Sequence, residues 1–168
     1  MAKSLVSVLV VDDSGPFRRF VASALAQNPE LKIIGESSDG MDAVYKAEET
    51  QPNLILLDIG LPTLNGIEAA RRIRKLSPAS KILFFSENRS REIVEEALHT
   101  GAAGYVVKSD AARELLPGVE AILQGRQFVS SILSDHFLNR NEDGHTRQFA
   151  SAPRKSEIVG SSRGTFLF

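Results

Sequence analysis

Four apolar runs in this 168-residue chain each end in a polar residue: Val10-Val11 gives way to Asp12-Asp13, Leu57 to Asp58, Phe85 to Ser86 and Val107 to Lys108. If the runs are strands of one parallel sheet, their carboxyl ends share one side of it, and these side chains converge on the crevice where the strand order reverses. Three carboxylates, a hydroxyl and an ammonium then meet in one pocket. Carboxylates about 5 Å apart repel by roughly 3 kcal/mol per pair at an effective dielectric near 20, so the cluster calls for a cation or a proton. Mg²⁺ suits it, as a hard ion that takes a few oxygen ligands and keeps waters that a phosphate oxygen can replace. With the metal on one side and Lys108 on the other, the equatorial oxygens of a phosphoryl group are neutralised while a carboxylate attacks phosphorus in line. A carboxylate is already ionised and needs no base for that attack. Asp58 stands alone at its strand end and is the expected nucleophile. Asp12 and Asp13 suit metal binding, and Ser86 can donate a hydrogen bond to the attached phosphoryl group.

The elements that must position these residues follow from periodicity. The runs Leu5 to Val11, Leu54 to Leu57, Ile82 to Phe85 and Tyr105 to Val107, with a weaker one at Ile33-Ile34, are short and apolar, as strands buried on both faces are. Between them, apolar residues return at helical spacing: Phe17, Phe20, Val21, Ala24 and Leu25; Ala43, Val44 and Ala47; Ile67, Ala70 and Ile73; Ile93, Val94, Ala97 and Leu98; Leu115, Leu116, Val119, Ile122 and Leu123. Ser14 or Asp13, Asp39, Asn65 and Asp110 are the expected helix N-caps, and Gly101 closes the fourth helix. Five strand–helix alternations with short connections and right-handed crossovers predict an α/β domain, a five-stranded parallel sheet with helices on both faces in the doubly wound, flavodoxin-like arrangement. Pro117 removes a helical hydrogen bond, so the fifth helix is expected to kink or to begin later than Ala111.

Composition narrows the function. The apolar share of 42% and charged share of 24% are ordinary for a globular chain, and 20 basic residues against 21 acidic ones leave no basic excess for holding nucleic acid. Without cysteine there is no disulfide framework, thiolate metal site or thiol nucleophile, and a reducing cytoplasm fits. No run approaches the roughly 18 apolar residues of a membrane span. Residues 125–138 read as a linker or one short helix. Residues 139–168, rich in Asn, Ser, Gly and charge, read as a flexible tail.

The stretches VLVVDDSGPFRRF and LILLDIGLPTLNGIEAARRIR, the Ser86 after ILFF, and GAAGYVVKS together closely resemble the receiver domains of bacterial response regulators, over about residues 4–124. Order and spacing agree: an acidic pair, an aspartate with Pro62 four and Gly66 eight positions on, a hydroxyl residue, an aromatic and a lysine. The resemblance implies phosphorylation of Asp58, Mg²⁺ held by Asp12, Asp13, Asp58 and the Gly60 carbonyl, Ser86 and Tyr105 as switch residues, and Lys108 on the phosphoryl group. It implies a two-component signalling role without turnover of a separate substrate, a sensor histidine kinase or phosphotransfer protein as donor, and output or homodimerisation through the fourth helix, fifth strand and fifth helix.

The wording around Asp58 and Lys108 is nearest to the subgroup that usually carries a C-terminal helix-turn-helix domain. From Gln127 onward, however, no basic recognition helix is apparent, so direct nucleic-acid binding is not expected. A DNA-binding regulator whose output domain was cut away or lost is one alternative. A Mg²⁺-dependent phosphatase with an aspartate nucleophile is another, disfavoured because Asp12-Asp13-Ser14 lacks the Asp-x-Asp spacing. Glu87, beside Ser86, stands where receivers often carry a small or apolar residue, and its charge can affect donors or the phosphoryl lifetime. Plainer roles compete: Asp13 and Ser14 as caps, Ser86 as an ordinary loop serine, Tyr105 as packing. His99, His136 and His145 show no metal-site spacing.

Overall fold

The computed structural model describes residues 4–138, and beyond them 146–148, 150–151 and 165–166. Strands β1 (Val6–Val11), β2 (Leu31–Ser37), β3 (Leu54–Asp58), β4 (Lys81–Ser86) and β5 (Gly104–Val107) alternate with helices α1 (Gly15–Leu25), α2 (Gly40–Thr50), α3 (Gly66–Leu76), α4 (Arg91–His99) and α5 (Ala111–Leu123). These are the five expected alternations. The sheet runs β2-β1-β3-β4-β5 in parallel and continues past the expected five strands, through β6 (Phe128–Val129) to β8 (Ala150–Ser151). Helix α6 (Ser131–Leu138) follows β6, and β7 (Thr146–Gln148) pairs antiparallel with β9 (Thr165–Phe166). Most of the segment expected to be a flexible tail lies outside the described residues.

Alternation along each strand sends its side chains to two cores. Leu9, Val11, Ile55, Leu57, Ile82, Phe84, Tyr105 and Val107 pack with α2, α3 and α4. Val8, Val10, Leu54, Leu56, Leu83, Phe85 and Val106 pack with α1 and α5 on the other face. Every residue of β3 is buried, so its last residue, Asp58, is carried by a fully enclosed strand of the sheet.

Side chains that cap helices set where the loops turn. Ser14, not Asp13, caps α1, its Oγ accepting from the Phe17 amide at 3.2 Å. Asp39 and Asn65 cap α2 and α3 as expected, Ser90 caps α4, and Gly101 at φ +90° turns the chain after α4. The fifth helix departs from expectation. It starts at Ala111 and runs through Pro117, and Asp110 precedes it without a capping side-chain hydrogen bond. A 3₁₀ turn over Lys108–Asp110 leads into it instead, so its first amides are approached by backbone already curled toward the helix.

Candidate functional site

The strand order changes direction between β1 and β3, and the two strands are in register from Val8↔Leu54 to Val11↔Leu57. Asp12 and Asp58 therefore leave the sheet side by side. Asp12 and Asp58 are buried while Asp13 is exposed, and one carboxylate oxygen from each of the three lies within 4.8 Å of the others. Lys108 reaches in from the end of β5, its Nζ 2.6 Å from Asp12 Oδ2 and donating to Asp58 Oδ2 at 3.2 Å. The same ammonium stands 4.5 Å from the centroid of the Phe17 ring, which α1 lays against Phe85. Periodicity places Phe17 on the core face of α1 and no more; in the structure it also walls the pocket and offers its π face to the cation.

Electrostatics follow from this crowding. Burial, with the Asp12 charge adding to it, pushes the Asp58 carboxyl above the ordinary carboxylate range, against the pull of Lys108. Burial alone depresses the Lys108 ammonium, but its pairing with Asp12 and Asp58 outweighs that and holds it above the ordinary lysine value. Asp12 Oδ2, though close to Lys108, has no aligned hydrogen-bond donor. Three acids with one cation among them, and a buried oxygen lacking a donor, make a donor set that fits a small hard divalent cation. Gly60, two residues past Asp58, has open space where a side chain would stand.

The loop after Asp58 is held by close backbone approach. The Ile59 amide donates to Asp58 Oδ1 at 2.8 Å, and the Gly66 amide closes the turn on the Ile59 carbonyl at 2.8 Å. A Cβ on Gly66 would stand 1.9 Å from the Asp58 carbonyl oxygen, an impossible distance against backbone that cannot swing away. Gly66→Ala is therefore expected to cost about 2–3 kcal/mol and to displace Asp58. Chemical denaturation would show it, and a loss under roughly 0.5 kcal/mol would mean that this loop yields easily.

Ser86 and Tyr105 are joined through one backbone unit. Ser86 Oγ accepts from the Asn88 amide at 3.1 Å, and the Tyr105 hydroxyl donates to the Asn88 carbonyl at 2.7 Å. Tyr105 is fully buried, with its ring 6.3 Å from that of Phe84, and burial pushes its hydroxyl up to about 12. Asn88 takes part through its backbone, so no feature of the sequence could have singled it out. Glu87 lies next to this pair in a hollow it shares with Phe17, Arg89, Val107, Lys108 and Ser109. The five polar side chains that end the strands, Asp12, Asp13, Asp58, Ser86 and Lys108, thus lie on the one side of the sheet where the alternation placed them.

Comparison with known proteins gives a consistent picture. The response regulator receiver domain family matches residues 8–120. The transcriptional regulatory protein DegU of Brevibacillus brevis is 34% identical over 124 residues, covering 74% of this chain and 52% of DegU. The nitrate/nitrite response regulator protein NarL of Escherichia coli K12 is 32% identical over 128 residues, covering 76% of this chain and 59% of NarL. The chain thus spans a little over half the length of these relatives. Among solved structures, a LuxR-family two-component response regulator from Aurantimonas superposes with a TM-score of 0.77 at 32% identity, over 81% of this chain and 97% of that one. The signal receiver domain of a NarL from Mycobacterium tuberculosis gives 0.70 at 31% identity, over 74% of this chain and all of its own length. Among the described residues, no helix is long and apolar enough to cross a membrane.

Proposed function

Because this chain belongs to the response regulator receiver domain family of two-component signalling proteins, we propose that it accepts a phosphoryl group on Asp58 from a histidine-phosphorylated kinase or phosphotransfer protein. The observation that carries this reading is the meeting of the Asp12, Asp13 and Asp58 carboxylates within 4.8 Å, with Lys108 donating to Asp58 at 3.2 Å. A carboxylate oxygen of Asp58 attacks phosphorus and the P–N bond to the donor imidazole breaks. The bonding pair leaves with the imidazole nitrogen, and an acyl phosphate remains. Lys108 balances charge on the transferring oxygens from its fixed place over Phe17. Burial of Asp12 and Asp58 keeps bulk water from most of the pocket, and slow hydrolysis resets the switch.

Mg²⁺ bound by Asp12, Asp13, Asp58 and the Gly60 carbonyl would neutralise the acids and the incoming phosphoryl charge. Asp13 is the exposed member and the first an ion meets. Asp13→Ala should weaken Mg²⁺ binding by at least about tenfold in a titration followed by NMR shifts. Unchanged affinity would remove Asp13 from the ligand set.

The test of the whole reading is intact mass after acetyl phosphate and Mg²⁺, with the modified residue mapped by peptide analysis. One phosphoryl group at Asp58 is expected. Uptake elsewhere, or none, overturns the assignment, and steady turnover of a phosphate ester would favour a phosphatase instead.

Ser86 and Tyr105 are proposed as the relay from that charge. The phosphoryl oxygens compete with the Asn88 amide for Ser86, and Tyr105, already inward and tied to Asn88, marks the arrangement that this competition stabilises or releases. Ser86→Ala should accept phosphate near the normal level yet lose most of the phosphorylation-dependent NMR shifts around Tyr105. A full response in that variant would pass the role to Lys108 or the loop after Asp58.

A further inference from the structure

The chain beyond α5 is bound to the switch strand by an arrangement that phosphoacceptor chemistry does not use. The Ser130 amide donates to the Tyr105 carbonyl at 2.9 Å, and Ser130 Oγ accepts from the Val107 amide at 2.8 Å. Val107 immediately precedes Lys108, so the amide that Ser130 holds is one peptide unit from the lysine on Asp58. The next residue, Ser131, donates through Oγ to Glu114 Oε1 on α5 at 3.2 Å. Glu114 is 0% exposed and Ser130 likewise, and Glu114 Oε2 has no hydrogen-bond partner among the described residues. The cation that faces it is Arg113, largely exposed, whose Nη2 lies 3.6 Å from Oε1.

Retaining a buried acid in such surroundings is costly. Burial pushes the Glu114 carboxyl up and the Asp110 charge adds to this, while the contacts with Ser130 and Ser131 oppose it. Asp110, in the turn that joins Lys108 to α5, also has a buried oxygen without a partner among the described residues. Around this polar group the attachment is apolar and tight. Val129 and Leu133 are buried in the core that contains Tyr105, and Phe128 seats in the other core, where its ring is 3.1 Å from the place a Cβ would occupy on Gly118.

We propose that Glu114, Ser130 and Ser131 form a polar latch that fastens the β6–α6 segment to β5 and α5, and that this segment reports the state of the Asp58 pocket. The inference rests on the phosphoacceptor reading and extends it to a specific output element. When the Asp58 charge changes, Lys108 shifts. The shift passes on one side through Val107 to Ser130 and on the other through the 3₁₀ turn to Glu114 and its hold on Ser131. Two anchors attached to opposite ends of one moving turn convert a small displacement into a change in how firmly α6 is seated. Glu114 and the two serines are positioning residues here, since none touches the phosphoryl group.

The test uses the full chain, with amide hydrogen exchange over residues 128–138 measured before and after acetyl phosphate with Mg²⁺, and intact mass read on the same samples. In the unsubstituted protein, exchange in this segment should change at least about fivefold on modification. Glu114→Ala should speed exchange there about tenfold or more without modification, leave β1 to β4 protected, retain the mass gain, and lose the modification-dependent change. Glu114→Gln keeps an acceptor for Ser131 and should preserve the response; its loss in that variant too would overturn a latch built on this hydrogen bond. If Glu114→Ala does not fold, Ser131→Ala, which removes the donor only, should show the same loss of coupling. A normal mass gain with unaltered exchange at 128–138 overturns the latch while leaving the phosphoacceptor reading intact. Absence of any mass gain at Asp58 overturns that reading and the coupling with it.

Discussion

Asp58→Asn is expected to abolish phosphoryl uptake, by at least about a hundredfold, while making the folded protein more stable at neutral pH by about 1–2 kcal/mol. The two effects have one origin. Asparagine has no anionic oxygen to attack phosphorus, so the covalent step has no nucleophile. The substitution also removes a charge that is buried beside Asp12, on a carboxyl held above the ordinary range by burial and that neighbour. A carboxyl whose folded-state pKa is raised contributes stability that is fully present below its unfolded value and lost as pH rises through the folded value. The charged form at neutral pH is therefore a burden on the fold, and the amide relieves it. The side-chain oxygen that the variant retains can still accept from the Ile59 amide, as Asp58 Oδ1 does, and Lys108 still has Asp12 at 2.6 Å. Urea unfolding of both proteins from about pH 4 to 7.5 would show the stability gap opening as pH rises. A variant less stable than the parent at neutral pH would mean that the Lys108 contact outweighs the burial and repulsion that raise Asp58.

Lys108→Met should act in the opposite sense, destabilising the protein by about 2–3 kcal/mol at neutral pH without added divalent cation. Methionine nearly matches the length of the side chain and can keep an apolar contact with Phe17, so the substitution isolates the charge. Without the ammonium, two buried acids at the ends of neighbouring strands lose the cation with which both are ion-paired. Removing the ammonium takes away the pull that holds the Asp58 carboxyl down, so its folded-state value rises further; stability returns as acidification protonates it, and the deficit should narrow below about pH 5. Saturating Mg²⁺ should narrow it at neutral pH by the same logic. A deficit that is equal at both pH values and indifferent to Mg²⁺ would trace the loss to packing over Phe17 instead.

These two residues are legible in the sequence because a doubly wound sheet turns a one-dimensional regularity into a place. Each apolar run ends in a polar residue, and parallel strands bring those ends together whatever the distance between them in the chain. The fold is legible for the same reason, since β3 and β5 are too short and too apolar to be anything but interior strands. What escapes belongs to other kinds of information. Asn88 contributes its peptide group, which is common to every residue type. Phe17 reads as one more position on an apolar helix face. Glu114 is not among the positions whose spacing marks α5, and nothing before Gly125 announces that Ser131 will fold back onto it. Pro117 misleads in the other direction: a missing amide at the middle of a helix costs one hydrogen bond, and the burial of Leu115, Val119 and Ile122 around it is enough to hold the helix.

The way β6 lies against β5 also bears on how the chain can be divided. A version ended at Leu123 would keep every strand-end residue of the phosphorylation pocket, but the Tyr105 carbonyl and the Val107 amide would lose Ser130, and Val107 and Tyr105 would lose the cover of Val129 and Leu133. The outer margin of the sheet would then be a bare apolar strand with unfilled backbone groups, a template for a strand from another molecule. Self-association of such a shortened protein would be a product of the cut, and an oligomer measured on it would say little about how the intact chain assembles.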